Sequence, residues 1–333
     1  MERSRFLREK VQSDSDSVSF SESSDMRYRN DTSLCLLIVT ALSLVCGISR
    51  ARAQEMEPRA YSASPTGANF LVLGLARSEG SVLLDPSLPV TNVEAKINTA
   101  SIGYQRTFGL AGRSASLGAA VPYLKGTLNG DVGDEHREIS RSGLGDLKIR
   151  FAANLLGGPA LTAEEFAQRS PSTTLGTSFS VAAPTGQYDP KRLINIGSNR
   201  WAFKPEIGLS NPIGNWFSDA SAGVWLYTDN SDFFGGKRRS QDPLSLFQLH
   251  AGYSFRPRLW LAADTIYAIG SETHVNGVAA NDQQRNLRYG LTLSLPLTEG
   301  YSLKLAWSNA LTTRIGGRFD TVSALLQYNW VDN

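Results

Sequence analysis

The amino-acid sequence predicts an all-β fold: a transmembrane antiparallel β-barrel of about 12 strands, of the Gram-negative outer-membrane type. Apolar residues recur at every second position in many segments, most clearly at 289–297, where Tyr289, Leu291 and Leu293 alternate with small and polar residues. Successive side chains of a strand point to opposite faces, so each such segment has one apolar and one polar face. The apolar faces often carry an aromatic residue near one end, and the polar faces include Lys, Arg, Asp and Glu. A lipid-facing outside and a polar lumen account for both features.

Short links that contain Gly, Pro or Asn alternate with long links along the chain. Outer-membrane barrels have even strand numbers, short periplasmic turns and longer outer loops, so both termini are expected in the periplasm. The link 157–172 is the exception, a long periplasmic link predicted to form a small helix with Thr162 as its N-cap and Glu165 at the third helical position. The long outer links are predicted at 78–95, 126–143, 189–200, 229–243, 271–286 and 314–318. The strands are predicted at 68–77, 96–108, 114–125, 144–156, 173–188, 201–210, 216–228, 244–256, 259–270, 287–297, 301–313 and 319–330.

The N-terminal part of the chain has the pattern of an export signal. Residues 34–48 form the one continuous apolar run, with basic residues before it and Ala51-Arg52-Ala53 after it. Such a pattern is typical of a secretory signal peptide, here 26–53 with cleavage after Ala53. Residues 1–25 are expected to be an extension upstream of the real start at Met26, or a disordered tail. Residues 54–66 are expected to form a short periplasmic segment, and residues 67–330 the barrel.

Composition excludes several classes of function. Both cysteines, Cys35 and Cys46, fall in the predicted signal peptide, so the mature chain has no disulfide or thiolate chemistry. Removing the 8 basic and 7 acidic residues of the first 53 from the totals of 33 and 31 leaves 25 and 24. This near-neutral balance argues against nucleic acid as a partner. No phosphate-binding or HExxH zinc signature occurs, and no cofactor is predicted.

A group of motifs distinguishes the middle of the chain. It consists of Ala183-Pro184-Thr185-Gly186-Gln187-Tyr188-Asp189, Asn195-Ile196-Gly197-Ser198-Asn199-Arg200-Trp201 and Pro205-Glu206-Ile207-Gly208-Leu209-Ser210. It is accompanied by Gly67-Ala68-Asn69, Gly143-Leu144-Gly145-Asp146-Leu147 and Gly157-Gly158-Pro159-Ala160-Leu161. Over most of 65–330 the sequence resembles the "putative meta-pathway of phenol degradation" family of outer-membrane proteins. The resemblance implies a barrel that takes part in the uptake of aromatic or other hydrophobic small molecules, and it brings no catalytic or binding residues with it.

Charged residues are predicted on the inner face of several strands. Opposed charges either line a hydrated pore and set its selectivity or pair with one another and close the barrel. Many inward positions hold Gly, Ala or Ser, which leaves room and favours a pore. The predicted lumen residues are Asp146, Lys148, Arg150, Lys204, Glu206, His250, Asp264, Arg288 and Lys304.

Other polar residues carry weaker predictions. His250 and Ser254 share a face but lie about 13 Å apart along an extended strand, so a hydrolase is disfavoured. His136 and His274 lie in outer loops near Asp134, Glu135 and Glu272. Either a metal ion or a lipopolysaccharide-bridging cation binds there, or the side chains are simply solvated. No metal ligand is assigned. The outer-loop cationic patch of Lys237, Arg238 and Arg239 either contacts lipopolysaccharide phosphates or anionic solutes, or is solvated.

The predicted function is an outer-membrane channel for small aromatic or hydrophobic compounds, without enzymatic activity. The alternative is a closed barrel that acts through its outer loops. Expected partners are outer-membrane lipid, lipopolysaccharide, a small-molecule solute and, during biogenesis, the barrel-assembly machinery.

Overall fold

A computed structural model describes residues 56–84 and 90–332, so the predicted extension and signal peptide lie outside the described residues. These residues form one helix, α1 (Ala163–Gln168), and seventeen strands. The strands are β1 (Ala68–Leu83), β2 (Val90–Leu110), β3 (Arg113–Val132), β4 (Glu135–Leu144), β5 (Leu147–Leu156), β6 (Thr174–Ala183), β7 (Ala202–Ile213), β8 (Trp216–Tyr227), β9 (Asn230–Phe233), β10 (Lys237–Gln241), β11 (Leu244–Arg256), β12 (Leu259–Gly270), β13 (Thr273–Val275), β14 (Val278–Ala279), β15 (Gln284–Thr298), β16 (Tyr301–Thr313) and β17 (Gly316–Val331).

Thirteen of these strands form one closed antiparallel sheet in the order β2-β1-β17-β16-β15-β12-β11-β8-β7-β6-β5-β3-β4, with β2 also paired to β3. Strands β4 and β5 both pair with β3, because they are two halves of one strand that is interrupted at Gly145 and Asp146. Counted in this way, the described residues form a barrel of twelve strands. The predicted fold class is confirmed.

The outer surface has the apolar belt expected of a barrel in lipid. In β11, Phe247 is 49 % exposed and Leu249 58 % exposed, whereas the alternating residues Leu246, Gln248 and His250 are buried inside. At one boundary of the belt Tyr301, Tyr328 and Trp330 stack on the outside, with ring centroids 4.6 and 5.3 Å apart. From Tyr301 to Trp307 the apolar face of β16 runs about 20 Å at roughly 3.3 Å per residue, comparable to the band of known outer-membrane barrels.

The two ends of the barrel differ in their connections. Two-residue turns join β2 to β3, β7 to β8, β11 to β12 and β15 to β16 at one end, which we call the turn end. The link that contains α1 lies at the same end, where Pro159 of this link forms an isolated antiparallel β-bridge with Arg113. The capping box of α1 is present as predicted: Thr162 accepts a hydrogen bond from the Glu165 backbone, and the Glu165 carboxylate accepts one from the Thr162 backbone.

At the opposite end, the loop end, the strands are longer than predicted. Residues 78–83 and 90–95 continue β1 and β2, and 126–132 and 135–143 continue β3 and β4, although these stretches are predicted as loops. The sequence pattern is reversed there, because polar side chains such as Glu94 face outward and apolar ones such as Ala95 are buried inside.

Four short strands form a second sheet at the loop end, in the order β14-β13-β10-β9, which we call the loop sheet. Its two hairpins continue the wall strands β8, β11, β12 and β15 beyond the belt. No helix within residues 56–84 and 90–332 is long and apolar enough to cross a membrane.

Candidate functional site: the barrel lumen

The N-terminal segment, residues 56–66, crosses the interior of the barrel. It enters at the turn end, where the Thr66 backbone N–H donates to the Leu161 carbonyl at 2.8 Å and the Gly67 N–H donates to the Thr107 carbonyl at 3.0 Å. From there the chain runs back through Tyr61 to Met56, the first described residue. Met56 packs against apolar residues of the far wall. The expectation of a periplasmic segment therefore needs correction for these residues, since polar groups of the wall and of the segment satisfy each other inside the lumen.

Tyr61 anchors this segment and is only 5 % exposed. Its hydroxyl donates to Glu206 Oε1 at 2.7 Å and lies 3.0 Å from Ser178 Oγ. The ring fits a notch formed by two paired glycines on adjacent strands, Gly176 and Gly208. A Cβ atom on Gly208 would lie 2.1 Å from the ring and one on Gly176 would lie 2.6 Å from it. The notch therefore requires glycine.

A second anchor holds the segment against β8. The Arg59 backbone N–H donates to Asp219 Oδ2 at 2.8 Å, and the Arg59 guanidinium lies 4.9 Å from the centroid of the Phe217 ring. Arg59 adopts a positive φ of 66°, which is uncommon outside glycine and is held here by the Asp219 contact. Hydrogen bonding at both Tyr61 and Asp219 fixes the segment at two points of the wall.

Four predicted lumen cations face the interior around the segment. Lys148 and Arg150 lie on β5, Lys204 on β7 and Lys304 on β16, and their charges all act on the carboxylate of Glu57. Glu57 retains solvent-accessible surface although protein surrounds it, as expected for a side chain in a water-accessible space inside the barrel. The cations therefore converge on one region of the lumen.

Three of these cations also make local contacts with the wall or the segment, which fix their positions. Lys204 Nζ forms an ion pair with Glu206 Oε2 at 2.9 Å and lies 5.8 Å from the Trp225 ring centroid. Arg150 lies 5.4 Å from the Tyr61 ring centroid, and Lys304 lies 5.7 Å from the Trp260 ring centroid.

His250 and Asp264 lie on the inner face but bond to each other within the wall. His250 Nδ1 and Asp264 Oδ1 are 2.7 Å apart, and Thr292 Oγ1 donates to Asp264 Oδ2 at 2.5 Å. Both side chains are almost fully buried, at 4 % and 0 % exposure. Ser254 does not join them, because its backbone N–H donates to Asn215 and its hydroxyl lies 3.5 Å from Arg59 Nη1. The arrangement lacks the contact between nucleophile and base that a hydrolase needs.

Arg288 is also held by neighbouring strands. Its Nη2 donates to Ser308 Oγ at 3.0 Å, to the Phe319 carbonyl at 3.3 Å and to Thr321 Oγ1 at 3.4 Å. These contacts lie on β16 and β17, so the guanidinium braces the wall.

Asp146 has a different position from the other predicted lumen residues. It occupies the interruption between β4 and β5, and its carboxylate accepts three hydrogen bonds from the loop that joins β6 to β7. The donors are the Gly186 N–H at 2.9 Å, the Ser198 N–H at 3.0 Å and Ser198 Oγ at 2.7 Å. Gly186 and Gly197 approach so closely there that a Cβ on Gly197 would lie 2.6 Å from Gly186. Asp146 therefore fastens the base of loop 184–201.

Loop 184–201 folds into the mouth of the barrel at the loop end. Its Ile194 and Ile196 are 1 % and 4 % exposed, and they pack against the inner faces of β2, β3 and β17. We call this set the outer apolar cluster: Val90, Val93, Ala95, Ile97, Leu124, Leu128, Val132, Ile194, Ile196 and Phe319. The cluster and the N-terminal segment narrow the lumen at two different levels.

The predicted outer-loop cationic patch is divided in the structure. Arg239 is 5 % exposed and lies 5.2 Å from the Phe233 ring centroid, whereas Arg238 pairs with Asp229 on the surface. Lys237 begins β10. Consecutive residues of a strand point to opposite faces, so the three cations do not form one surface.

Sequence reasoning did not find Tyr61, Glu57 or Asp219. Alternation identifies residues that face inward only within strands, and Tyr61 and Glu57 precede the first strand. Asp219 on β8 is inward and acidic, so the same alternation could have found it.

The fold is similar to that of a solved outer-membrane channel. A crystal structure of an outer membrane channel from Pseudomonas putida F1 has a TM-score of 0.72 and 22 % identity, with 83 % of this chain and 100 % of that chain covered. The transport unit of the autotransporter AIDA-I from Escherichia coli has a TM-score of 0.48 and 8 % identity, covering 89 % and 97 % of the two chains. The CymD monoaromatic hydrocarbon channel has a TM-score of 0.40 and 8 % identity, covering 81 % and 90 %.

No curated protein matches the chain. The family model described as "Putative MetA-pathway of phenol degradation" matches residues 65–328, and the chain therefore belongs to that family, as the resemblance of its central motifs predicted.

Proposed function

We propose that the protein is an outer-membrane channel through which small aromatic or hydrophobic compounds enter the cell. The observation that carries the proposal is the lumen, where four cations from three strands converge on a water-accessible space inside a barrel with an apolar outer belt. A hydrated path across a membrane needs this combination of surfaces. The family description supports a link to phenol degradation.

The walls of the lumen favour small solutes with an aromatic ring. Beside the cations lies a buried apolar set that includes Trp225, Leu246 and Ile266, and Lys204 lies over the Trp225 ring at 5.8 Å. Apolar walls with a few placed polar groups are the usual composition of small-molecule sites. An aromatic ring that carries an acidic group matches both the apolar walls and the cations.

The protein acts without covalent chemistry in this proposal, and it resides in the outer membrane of a Gram-negative cell after cleavage following Ala53. The aromatic Trp330 near the end of the last strand serves recognition by the barrel-assembly machinery, and lipopolysaccharide contacts the charged outward faces at the loop end. No nucleic acid takes part.

A closed barrel that acts through its outer loops is the second candidate. The observation that favours it is the narrowing of the lumen at two levels, by the N-terminal segment and by the outer apolar cluster. In this case the lumen would pass neither ions nor solutes.

Solute efflux from proteoliposomes distinguishes the two candidates. The mature chain, residues 54–333, is reconstituted into vesicles loaded with radiolabelled benzoate. A channel releases benzoate faster than protein-free vesicles do, and phenol at high concentration slows the release. Equal rates with and without folded protein would contradict the proposal and support the closed barrel.

A further inference from the structure

Three side chains that bind metals in other proteins meet at the bend between the barrel wall and the loop sheet. They are Asp242, Glu272 and His274, which come from two segments 30 residues apart. One ligand atom of each side chain lies within 4.8 Å of those of the other two. The sequence alone placed only Glu272 and His274 near each other.

Strand geometry explains why they meet. Glu272 directly precedes β13 and His274 lies within it, with one residue between them. Their side chains therefore point to the same face of the chain. Asp242 lies opposite Glu272, because the Asp242 backbone N–H donates to the Glu272 carbonyl at 2.8 Å where the β10–β13 pairing continues. Directly opposite residues on antiparallel strands have Cβ atoms about 4.5–5.5 Å apart. The register therefore places all three side chains on one outward patch.

The backbone that carries two of the three residues is held in place from the other face. Thr273, between Glu272 and His274, is 1 % exposed. Its N–H donates to Asp282 Oδ1 at 2.7 Å, and its hydroxyl donates to Asp282 Oδ2 at 2.8 Å. The outward pair is therefore presented on a fixed strand rather than on a pliable loop.

The three side chains do not satisfy one another. His274 Nδ1 and Asp242 Oδ1 are 4.0 Å apart, beyond hydrogen-bond distance, and the Glu272 carboxylate has neither a hydrogen bond nor an ion pair among residues 56–84 and 90–332. The other two histidines differ, since His136 and His250 each contact an aspartate directly, at 2.8 and 2.7 Å. Side-chain exposure of 28 % for His274 and 55 % for Asp242 leaves the space between them open to an ion.

We propose that Asp242, Glu272 and His274 bind a divalent transition-metal cation, with Zn²⁺ as the representative ion. Two carboxylates and one imidazole are ligands that Zn²⁺ accepts at about 2.0–2.2 Å, with water in the remaining position. The imidazole favours Zn²⁺ over Mg²⁺ and Ca²⁺, which prefer oxygen ligands. Rotation of the exposed Asp242 side chain brings its oxygen to bonding distance.

The bound ion would link the start of β11 to the end of β12 across the bend. It would thereby fix the angle at which the loop sheet leaves the wall. This site is separate from the lumen, so it holds or fails independently of the proposed channel function.

Calorimetric titration of Zn²⁺ into the mature chain in detergent tests the proposal. The protein is prepared without a polyhistidine tag, so that the three histidines of the sequence are the only ones that can bind Zn²⁺. We expect one equivalent of Zn²⁺ to bind, and His274→Ala to weaken binding by at least about 10-fold, the lower bound known for residues that support metal ligands. His136→Ala is the matched control, since it removes an exposed loop histidine that already has an aspartate partner, and its binding should equal that of the unaltered chain.

Unaltered binding by His274→Ala, or the absence of stoichiometric binding by the unaltered chain, would overturn the proposal. Displacement of Zn²⁺ by an equal concentration of Mg²⁺ would also overturn it, because that behaviour requires a site made of oxygen ligands alone. Heat-modifiable electrophoretic migration checks that each variant is folded. If His274→Ala does not fold, Asp242→Asn at the more exposed position gives the same test. The visible absorption of bound Co²⁺ then gives a second measurement of the site, expected to be lost in the variant.

Discussion

Replacing Tyr61 with Phe removes one hydroxyl group and keeps the ring in its glycine notch. The hydroxyl donates to Glu206 Oε1 at 2.7 Å, a hydrogen bond to a charged acceptor. Such bonds contribute about 1.5–3 kcal/mol, which corresponds to a factor of about 10 to 150 in the equilibrium between a docked and a released segment. Lys204 still neutralises Glu206 in the variant, at 2.9 Å, so we expect the lower end of this range, about 10-fold.

Single-channel recording in planar bilayers measures this equilibrium as the fraction of time spent at the higher conductance level. Tyr104→Phe is the matched control, because the Tyr104 hydroxyl donates to Asn69 Oδ1 at 2.6 Å outside the lumen. An equal high-conductance fraction in Tyr61→Phe and Tyr104→Phe would refute the view that the Tyr61 hydroxyl holds the segment in place.

Three further substitutions test other parts of the lumen. Gly208→Ala places a Cβ 2.1 Å from the Tyr61 ring and should expel the N-terminal segment, measured as faster proteolysis of that segment in the folded barrel; unchanged proteolysis would contradict the notch. Neutralising Arg150 and Lys304 to Gln together should shift ion selectivity toward cations, and an unchanged reversal potential in a salt gradient would count against their role at the lumen surface. Asp146→Ala removes the acceptor of three hydrogen bonds from loop 184–201 and should raise the rate of tryptic cleavage within that loop severalfold. A cleavage rate equal to that of the unaltered chain would show that other contacts hold the loop.

The strand faces were predictable because alternation is a local property of the sequence. His250 and Asp264 were placed on the inner face from sequence, and both are buried there in the structure. Their partners were not predictable, since a contact between β11 and β12 depends on register, which alternation does not specify. The prediction that these residues set selectivity remains untested.

The extension of the strands at the loop end could not be read from the same pattern. Beyond the lipid the outward residue Lys96 is polar and the inward residues Ile97 and Leu124 are apolar, because they pack against loop 184–201. The rule that apolar residues face outward holds only at the level of the membrane. Reversed alternation at the end of a predicted barrel strand is therefore a signal of a loop packed inside the mouth.

The path of the N-terminal segment depends on residues far away in the sequence. Tyr61 enters the lumen because Gly176 and Gly208 leave a notch and Glu206 provides an acceptor. Nothing in residues 56–66 alone indicates this position, and the glycines alone are equally compatible with a wide pore.

The most direct test of the central claim is the single-channel conductance of the mature chain, residues 54–333, refolded and inserted in a planar bilayer. A solute path through the lumen predicts discrete conductance steps that become smaller or blocked when an aromatic acid such as benzoate is added. A correctly folded, heat-modifiable barrel that stays silent, and remains silent when Tyr61 is replaced by Ala, would contradict the claim.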